Sequence, residues 1–141
     1  MKKIIIKREA TERESEYIRE KLTDYNLLTA PPNQEYIYKN INLVLRDDKN
    51  IFGGLLGKIY RACLHIDTLW ISKSKRGLGY GKQLLDEAEN IAMNEKCTFI
   101  HLDTFSFQAP EFYQMNGYEV YGVLDQYSDG VKRYYLKKVI E

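Results

Sequence analysis

The residues with the clearest chemical meaning are three glycines at alternate positions, Gly77, Gly79 and Gly81, in the sequence RGLGYGK. They follow the apolar run Leu69–Ile71 and precede a segment with helical periodicity. Glycine allows the backbone to approach a ligand closely and to turn its N–H groups inward. Where such a loop begins a helix, the N–H groups and the helix dipole form an anion site, most naturally for phosphate. The loop therefore predicts a phosphorylated ligand of unspecified kind.

The elements around this loop must position it, and turn signals and periodicity predict their order. Strands are expected at 3–8, 36–46, 51–62, 64–71, 98–103, 118–126 and 131–139, with helices at 12–28, after the glycine loop, and near Ser106. The capping pair Thr11 and Glu14 favours the first helix start. The unit 64–103 reads strand, loop, helix, strand, so its two strands should be parallel. The whole pattern predicts a mixed sheet.

Composition places limits on the class of protein. The 141 residues suit one domain over 1–141, and the net charge of +1 argues against nucleic acid and anionic membranes as partners. Cys63 and Cys97 lack metal-ligand or disulfide-framework spacing and suit reduced thiols. There is no signal-peptide pattern and no long apolar run. We therefore expect a cytoplasmic protein.

Two common phosphate-binding loops do not fit the glycine spacing. The Walker pattern requires Ser or Thr after its lysine, and Lys82 is followed by Gln83. The dinucleotide fingerprint G-x-G-x-x-G fails as well, because the glycines run G-x-G-x-G after an antiparallel hairpin in mid-chain.

A third class does fit. The run Arg76 to Gly81 matches R-x-x-G-x-G, the pyrophosphate signature of the GNAT acetyltransferase family, and Phe112-Tyr113 with Gly117-Tyr118 resembles that family's FYxxxGF/Y element. The resemblance implies an α/β (α+β) fold with a central mixed, mostly antiparallel sheet. One splayed parallel strand pair and flanking helices complete it.

The resemblance also implies a donor, acetyl-CoA, and no metal. It assigns the cofactor contacts to Leu69, Trp70, Ile71, Arg76, Gly77, Leu78, Gly79, Tyr80, Gly81, Lys82, Ser106, Ala109 and Phe112. Backbone N–H groups of the loop would bind the pyrophosphate, and the 69–71 backbone would pair with pantetheine. Many family members have asparagine at the N-cap of the short helix; here Ser106 is the expected N-cap, and serine can also cap the helix and bond to the cofactor.

Catalysis requires an acid for the leaving thiolate and a base for the acceptor amine. Tyr113 matches the family's catalytic tyrosine and is the expected acid. Asp67 is the expected base, with His65 and His101 as alternatives. Cys63, His65 and Asp67 share one strand face, but their spacing is awkward for tetrahedral metal coordination.

The resemblance implies a primary amine as acceptor, which the sequence does not identify further. It also implies that segments 22–40 and 120–130 form the acceptor site, and their aromatic and acidic residues suit a cationic amine. The alternative function is a non-catalytic acyl-CoA-binding or sensing domain, which Tyr113 argues against. A homodimer through the C-terminal strands is compatible with the sequence.

Overall fold

A computed structural model describes residues 2–31 and 37–141, which are divided between two compact units at residues 35 and 36. The first unit contains helix α1, Glu12–Thr29. Its predicted capping box is present: Thr11 Oγ1 accepts from the Glu14 N–H at 3.1 Å, and Glu14 accepts from the Thr11 N–H at 2.8 Å. The helix ends before Pro31, as the sequence predicts.

The predicted strand at 3–8 is wrong. Within the described residues 2–31, the segment 2–10 has no strand, and Ile4 and Ile6 are 96% and 94% exposed. Isoleucine favours a strand only where packing and a neighbouring strand are available. The predicted strand start at Tyr36 lies outside the described residues, as does Pro32.

The second unit is a six-stranded sheet with two helices and a short 3₁₀ turn at Lys73–Lys75. The strands are β1 Lys39–Arg46, β2 Ile51–Tyr60, β3 Cys63–Ile71, β4 Phe99–Phe105, β5 Glu119–Leu124 and β6 Arg133–Val139. The helices are α2 Tyr80–Asn94 and α3 Pro110–Met115. The sheet order is β1-β2-β3-β4-β6-β5, and β3 with β4 is the one parallel neighbour pair. The predicted mixed, mostly antiparallel fold is confirmed.

Helix α2 packs its apolar stripe on the sheet. Leu84, Leu85, Ala88 and Ala92 are buried, and the core also holds Leu64, Ile66, Ile100, Leu102 and Leu136 from three central strands. The buried positions of α2 recur at helical spacing, as the sequence predicts. No helix among residues 2–31 and 37–141 has the length and apolarity to cross a membrane.

The parallel strands β3 and β4 separate part-way along their length. Their pairing covers Cys63 with Phe99, Leu64 with Ile100, and His65 with His101, and then stops. Both strands continue beyond this point, while β4 stays paired with β6 to its end at Phe105. The separation opens the sheet where the glycine loop begins, and it confirms the predicted splayed pair.

Candidate active site

A cavity of about 960 Å³ lies where β3 and β4 separate. Its walls come from the end of β3, the glycine loop, the end of β4 and the segment 107–113. The predicted site residues that line it are Asp67, Leu69, Trp70, Ile71, Arg76, Gly77, Gly79, Tyr80, Gly81, Lys82, Ala109, Phe112 and Tyr113. Leu78 and Ser106 are absent from the lining.

Two of the three loop glycines adopt a left-handed backbone. Gly77 has φ +73° and Gly79 has φ +86°, and a Cβ at either position would meet no atom within 4 Å. Gly79 is the N-cap of α2, whose first N–H groups have no partner within the helix. These glycines are required for backbone conformation, and the first turn of α2 that follows them lines the cavity.

Gly81 has a different reason to be glycine. It lies inside α2 with ordinary φ, and a Cβ there would be 3.0 Å from the Phe112 ring. Its small size lets α2 approach α3. The close approach therefore joins the glycine loop physically to the Phe112-Tyr113 element.

The two cations of the loop bind protein atoms. Arg76 Nε donates to the Ile71 carbonyl at 2.9 Å, which ties the loop to the end of β3. Lys82 Nζ lies 2.7 Å from Asp86 Oδ2, one helical turn away, and this hydrogen bond raises the pKa of Lys82. The arginine thus has a structural role that sequence reasoning missed, beside its predicted contact with phosphate.

Tyr113 lies in a largely buried position with only 9% exposure. Burial raises the pKa of its hydroxyl to about 12, so the phenol stays protonated at neutral pH. Its ring packs edge-on against Phe112 and Tyr118, with centroid distances of 5.2 and 5.9 Å. Tyr113 is therefore a protonated phenol on a residue that lines the cavity, and a protonated phenol can donate a proton.

A polar network behind Tyr113 holds Tyr118 in place. The Tyr118 hydroxyl donates to Glu89 at 3.2 Å, and Lys138 Nζ donates to Glu89 at 2.7 Å and to the Asn116 carbonyl at 3.0 Å. The network joins α2, the end of α3 and β6. It fixes the aromatic surface on which Tyr113 packs.

Two carboxylates, Asp67 and Asp103, also line the cavity. Asp67 Oδ1 lies 2.8 Å from His65 Nδ1, and Asp103 Oδ2 lies 2.6 Å from an Arg133 guanidinium nitrogen. The hydrogen bond with Asp103 raises the pKa of Arg133 further. Each aspartate is therefore held by a basic side chain.

The prediction that Ser106 caps α3 is wrong. The helix begins at Pro110 with Ala109 as its N-cap. Ser106 instead exchanges hydrogen bonds with the Lys132 backbone, at 2.8 and 3.0 Å, because it continues the pairing of β4 with the chain entering β6. Gln108 terminates β4: its Oε1 accepts from the Phe105 N–H at 2.7 Å and the Thr104 hydroxyl at 3.0 Å.

Comparison with known proteins decides the family. Residues 6–118 match the family described as Acetyltransferase (GNAT) family. The chain belongs to the GNAT family. A crystal structure of a Bacillus cereus acetyltransferase superposes with a TM-score of 0.88 at 40% identity, covering 96% of this chain and 97% of that one.

Two sequence relatives agree with this GNAT assignment. The blasticidin-S acetyltransferase of Streptomyces morookaense is 38% identical over 87 residues, which are 61% of this chain and 64% of that protein. The chain thus spans less than two thirds of that relative. An acetyltransferase of Agrobacterium fabrum is 30% identical over 122 residues, 86% of this chain and 87% of that one. The chain is a GNAT-type acetyltransferase.

The sequence does not reveal how the two aspartates of this GNAT cavity are paired. Arg133 holds Asp103 across two neighbouring strands, a contact that no local pattern predicts. One signal was present: the patterns His65-Ile66-Asp67 and His101-Leu102-Asp103 repeat H-x-D on the two strands that separate.

No metal is indicated at this face. Among residues 2–31 and 37–141, no group of three or more His, Cys, Asp or Glu side chains is arranged to hold a metal ion. Burial also raises the pKa of the Cys63 thiol to about 11, which disfavours the thiolate that a metal would need. The expected absence of a metal remains a prediction.

Proposed function

We propose that this protein transfers an acetyl group from acetyl-CoA to a primary amine. The observation that carries the proposal is the cavity between β3 and β4, whose lining includes the glycine turn at the start of α2 and the buried Tyr113. GNAT acetyltransferases use acetyl-CoA, and the described residues fit it.

The donor half of the site is built from backbone groups. The N–H groups that follow Gly79 at the start of α2 suit the pyrophosphate. Beyond His65, the edge of β3 that faces β4 has no strand partner among the described residues, although β2 still pairs along the other edge. This open edge suits the pantetheine amides, which would bind as an added strand over Leu69–Ile71.

The chemistry divides between two side chains. Bound acetyl-CoA supplies an activated acetyl group as a thioester. Asp67 accepts a proton from the acceptor ammonium, which frees the amine lone pair for attack. Tyr113 donates its phenolic proton to the departing sulfur, and the second amine proton replaces it. The net reaction releases one proton to water.

The same proposal covers partners and location. Acetyl-CoA and an amine acceptor are the proposed partners, with no nucleic acid or membrane. Free Cys63 and Cys97 thiols support a cytoplasmic location. A single acetyltransferase domain over residues 1–141 and a homodimer remain predictions. The acceptor segment 22–40 lies partly outside the described residues.

The test is a CoA-release assay with small amines, peptide N-termini and lysine peptides as acceptors. We expect acetylated product, identified by mass spectrometry, from at least one class. A thioester-hydrolysis control without amine corrects for background release. Tight CoA binding without product in any class would contradict the enzyme proposal and favour the sensing domain. Competition by NAD or ATP as strong as that by CoA would contradict the CoA site itself.

A further inference from the structure

A bulge in the β2–β3 ladder places Asp67 at the cavity. Leu56 pairs with Thr68 and Gly57 with Ile66, so Asp67 is the extra residue on β3. A bulge bends the strand and redirects side chains, and here Asp67 and Thr68 are both exposed in succession. Asp67 therefore leaves the regular alternation at the point where β3 and β4 have just separated.

His65 lies on the same strand two residues before Asp67 and contacts it directly. The 2.8 Å contact joins His65 Nδ1 to Asp67 Oδ1. An ionised carboxylate carries no proton, so a hydrogen bond at this contact requires the proton to be on Nδ1. The contact occupies one carboxylate oxygen and leaves Oδ2 for a ligand in the cavity, which Asp67 lines.

His65 is itself fixed by packing. Its ring lies 4.6 Å from the His101 ring, centroid to centroid, and His101 packs against Phe99 at 5.8 Å. Burial, followed by the His65 charge, lowers the pKa of His101 and keeps it neutral. The neighbouring strand β2 presents Lys58 opposite His65 in the ladder. The two imidazoles form the last paired position before the strands separate.

The contrast with Asp103 identifies what is special about this pair. Asp103 follows His101 in the second H-x-D pattern, yet it is held by Arg133 at 2.6 Å. Arginine is permanently charged; its Nε donates to Asp103 Oδ2 at 2.8 Å, and a terminal guanidinium nitrogen lies 2.6 Å from the same oxygen. Histidine offers Asp67 a single N–H donor and carries no permanent charge. Of these two pairs, the one on β3 therefore holds its carboxylate without a permanent positive charge beside it, which suits a carboxylate that must accept a proton.

We propose that His65 is a positioning residue, whose Nδ1–H holds Asp67 so that Oδ2 accepts the proton of the acceptor ammonium. This inference rests on the proposed acetyl transfer. The ammonium N–H bond breaks as the Asp67 O–H bond forms, and Asp67 then releases the proton to water. His65 keeps its own proton throughout and does not touch the acceptor.

The kinetic test compares His65→Leu, His65→Asn and the matched control Lys58→Leu, at the exposed position paired with His65 in the β2–β3 ladder. The leucine variant at position 65 loses the donor, and we expect kcat to fall about 10- to 100-fold, with the Kd for CoA within about twofold. The asparagine variant keeps an N–H donor near the Nδ1 position, so kcat should return to within about threefold of wild type. The control introduces the same leucine on the neighbouring strand and keeps both His65 and Asp67, so its kcat should stay within about threefold of wild type.

The outcomes separate a positioning role from a structural one. Thermal unfolding verifies that each variant is folded. Wild-type kcat in the leucine variant would overturn the proposal, and so would an asparagine variant as slow as the leucine one. A fall confined to the acceptor KM would also overturn it, because a misplaced base slows the chemical step.

A second measurement is independent of turnover. Nitrogen-15 NMR of the imidazole in the resting protein reports which ring nitrogen carries the proton. We expect Nδ1–H on His65 in the wild type and its loss in Asp67→Ala. Nε2–H with a bare Nδ1 in the wild type would overturn the proposal even if acetyl transfer is demonstrated. If the protein binds CoA but acetylates no amine, the proposed function fails, whereas the NMR result still decides the His65–Asp67 contact.

Discussion

The two halves of the cavity differ in the kind of group that forms them, backbone in one and side chains in the other. The proposed donor half consists of backbone groups: the α2 N-terminus after Gly79 and the open edge of β3. The proposed acceptor half consists of side chains held in pairs, His65 with Asp67 and Arg133 with Asp103. Backbone sites depend on conformation, so their sequence requirement is glycine at a few positions. Side-chain sites depend on partners that the fold brings together, and this difference determines which substitutions should damage each half.

The largest expected effect is on the chemical step. Tyr113→Phe removes the proposed proton donor and keeps the ring that packs on Phe112 and Tyr118. We expect kcat to fall about 10²- to 10⁴-fold, because general acid catalysis contributes a factor of that size. Steady-state kinetics and CoA binding measure the two quantities separately. The Kd for CoA should change little, and unchanged turnover would refute the assignment of Tyr113 as the acid.

The same tyrosine should shape stability at high pH. Burial raises the pKa of Tyr113 from 10.0 to about 12. The contribution of the protonated tyrosine to the free energy of unfolding is therefore fully present below pH 10. As pH rises from about 10 to 12, the unfolded chain ionises first and the free energy of unfolding falls by about 2–3 kcal/mol. Urea unfolding at pH 9, 10.5 and 11.5 measures the fall. Tyr113→Phe should show a shallower loss, while Cys63 and Tyr118 contribute equally to both proteins. If the free energy of unfolding falls equally with pH in both proteins, the pKa of Tyr113 is the same in the folded and the unfolded chain.

The loop glycines test the backbone half directly. Gly79→Ala places a Cβ on a backbone with φ +86°, which costs about 1–2 kcal/mol. The loop can relieve this strain by changing conformation, which moves its N–H groups away from the pyrophosphate. We expect CoA to bind about tenfold more weakly, measured by calorimetry. Gly130→Ala is the matched control, since φ there is +82° with nothing within 4 Å of the added Cβ. Both variants should lose similar stability, and only the first should lose CoA affinity. Equal CoA affinities would show that the loop does not build the anion site.

The same contrast explains what the sequence could predict. The loop, the buried stripe of α2 and the parallel strand pair follow local rules of glycine spacing and periodicity, and they occur where expected. The cap of α3 does not, because Ser106 is used by the β4–β6 pairing and a local capping rule cannot include that competitor. Likewise, the partners Asp103 and Arg133 meet only through sheet register. The prediction of a strand at 3–8 is wrong for a related reason, because strand propensity does not provide the neighbouring strand that a β-strand must pair with.

The smallest effect concerns Gly81, the loop glycine whose requirement is packing and not backbone conformation. Gly81 is helical, and a Cβ there would be 3.0 Å from the Phe112 ring, a side chain that yields more readily than backbone. Helix propensity favours alanine by about 1 kcal/mol, whereas the crowded ring costs a similar amount. Gly81→Ala should therefore change the free energy of unfolding by less than about 1 kcal/mol and the CoA Kd by less than about threefold. In a double-mutant cycle measured by urea unfolding, Phe112→Leu should relieve the crowding, so that alanine at 81 becomes stabilising. If Gly81→Ala instead weakens CoA as much as Gly79→Ala, the third glycine also faces the anion, and the division between conformational and packing glycines in this loop is wrong.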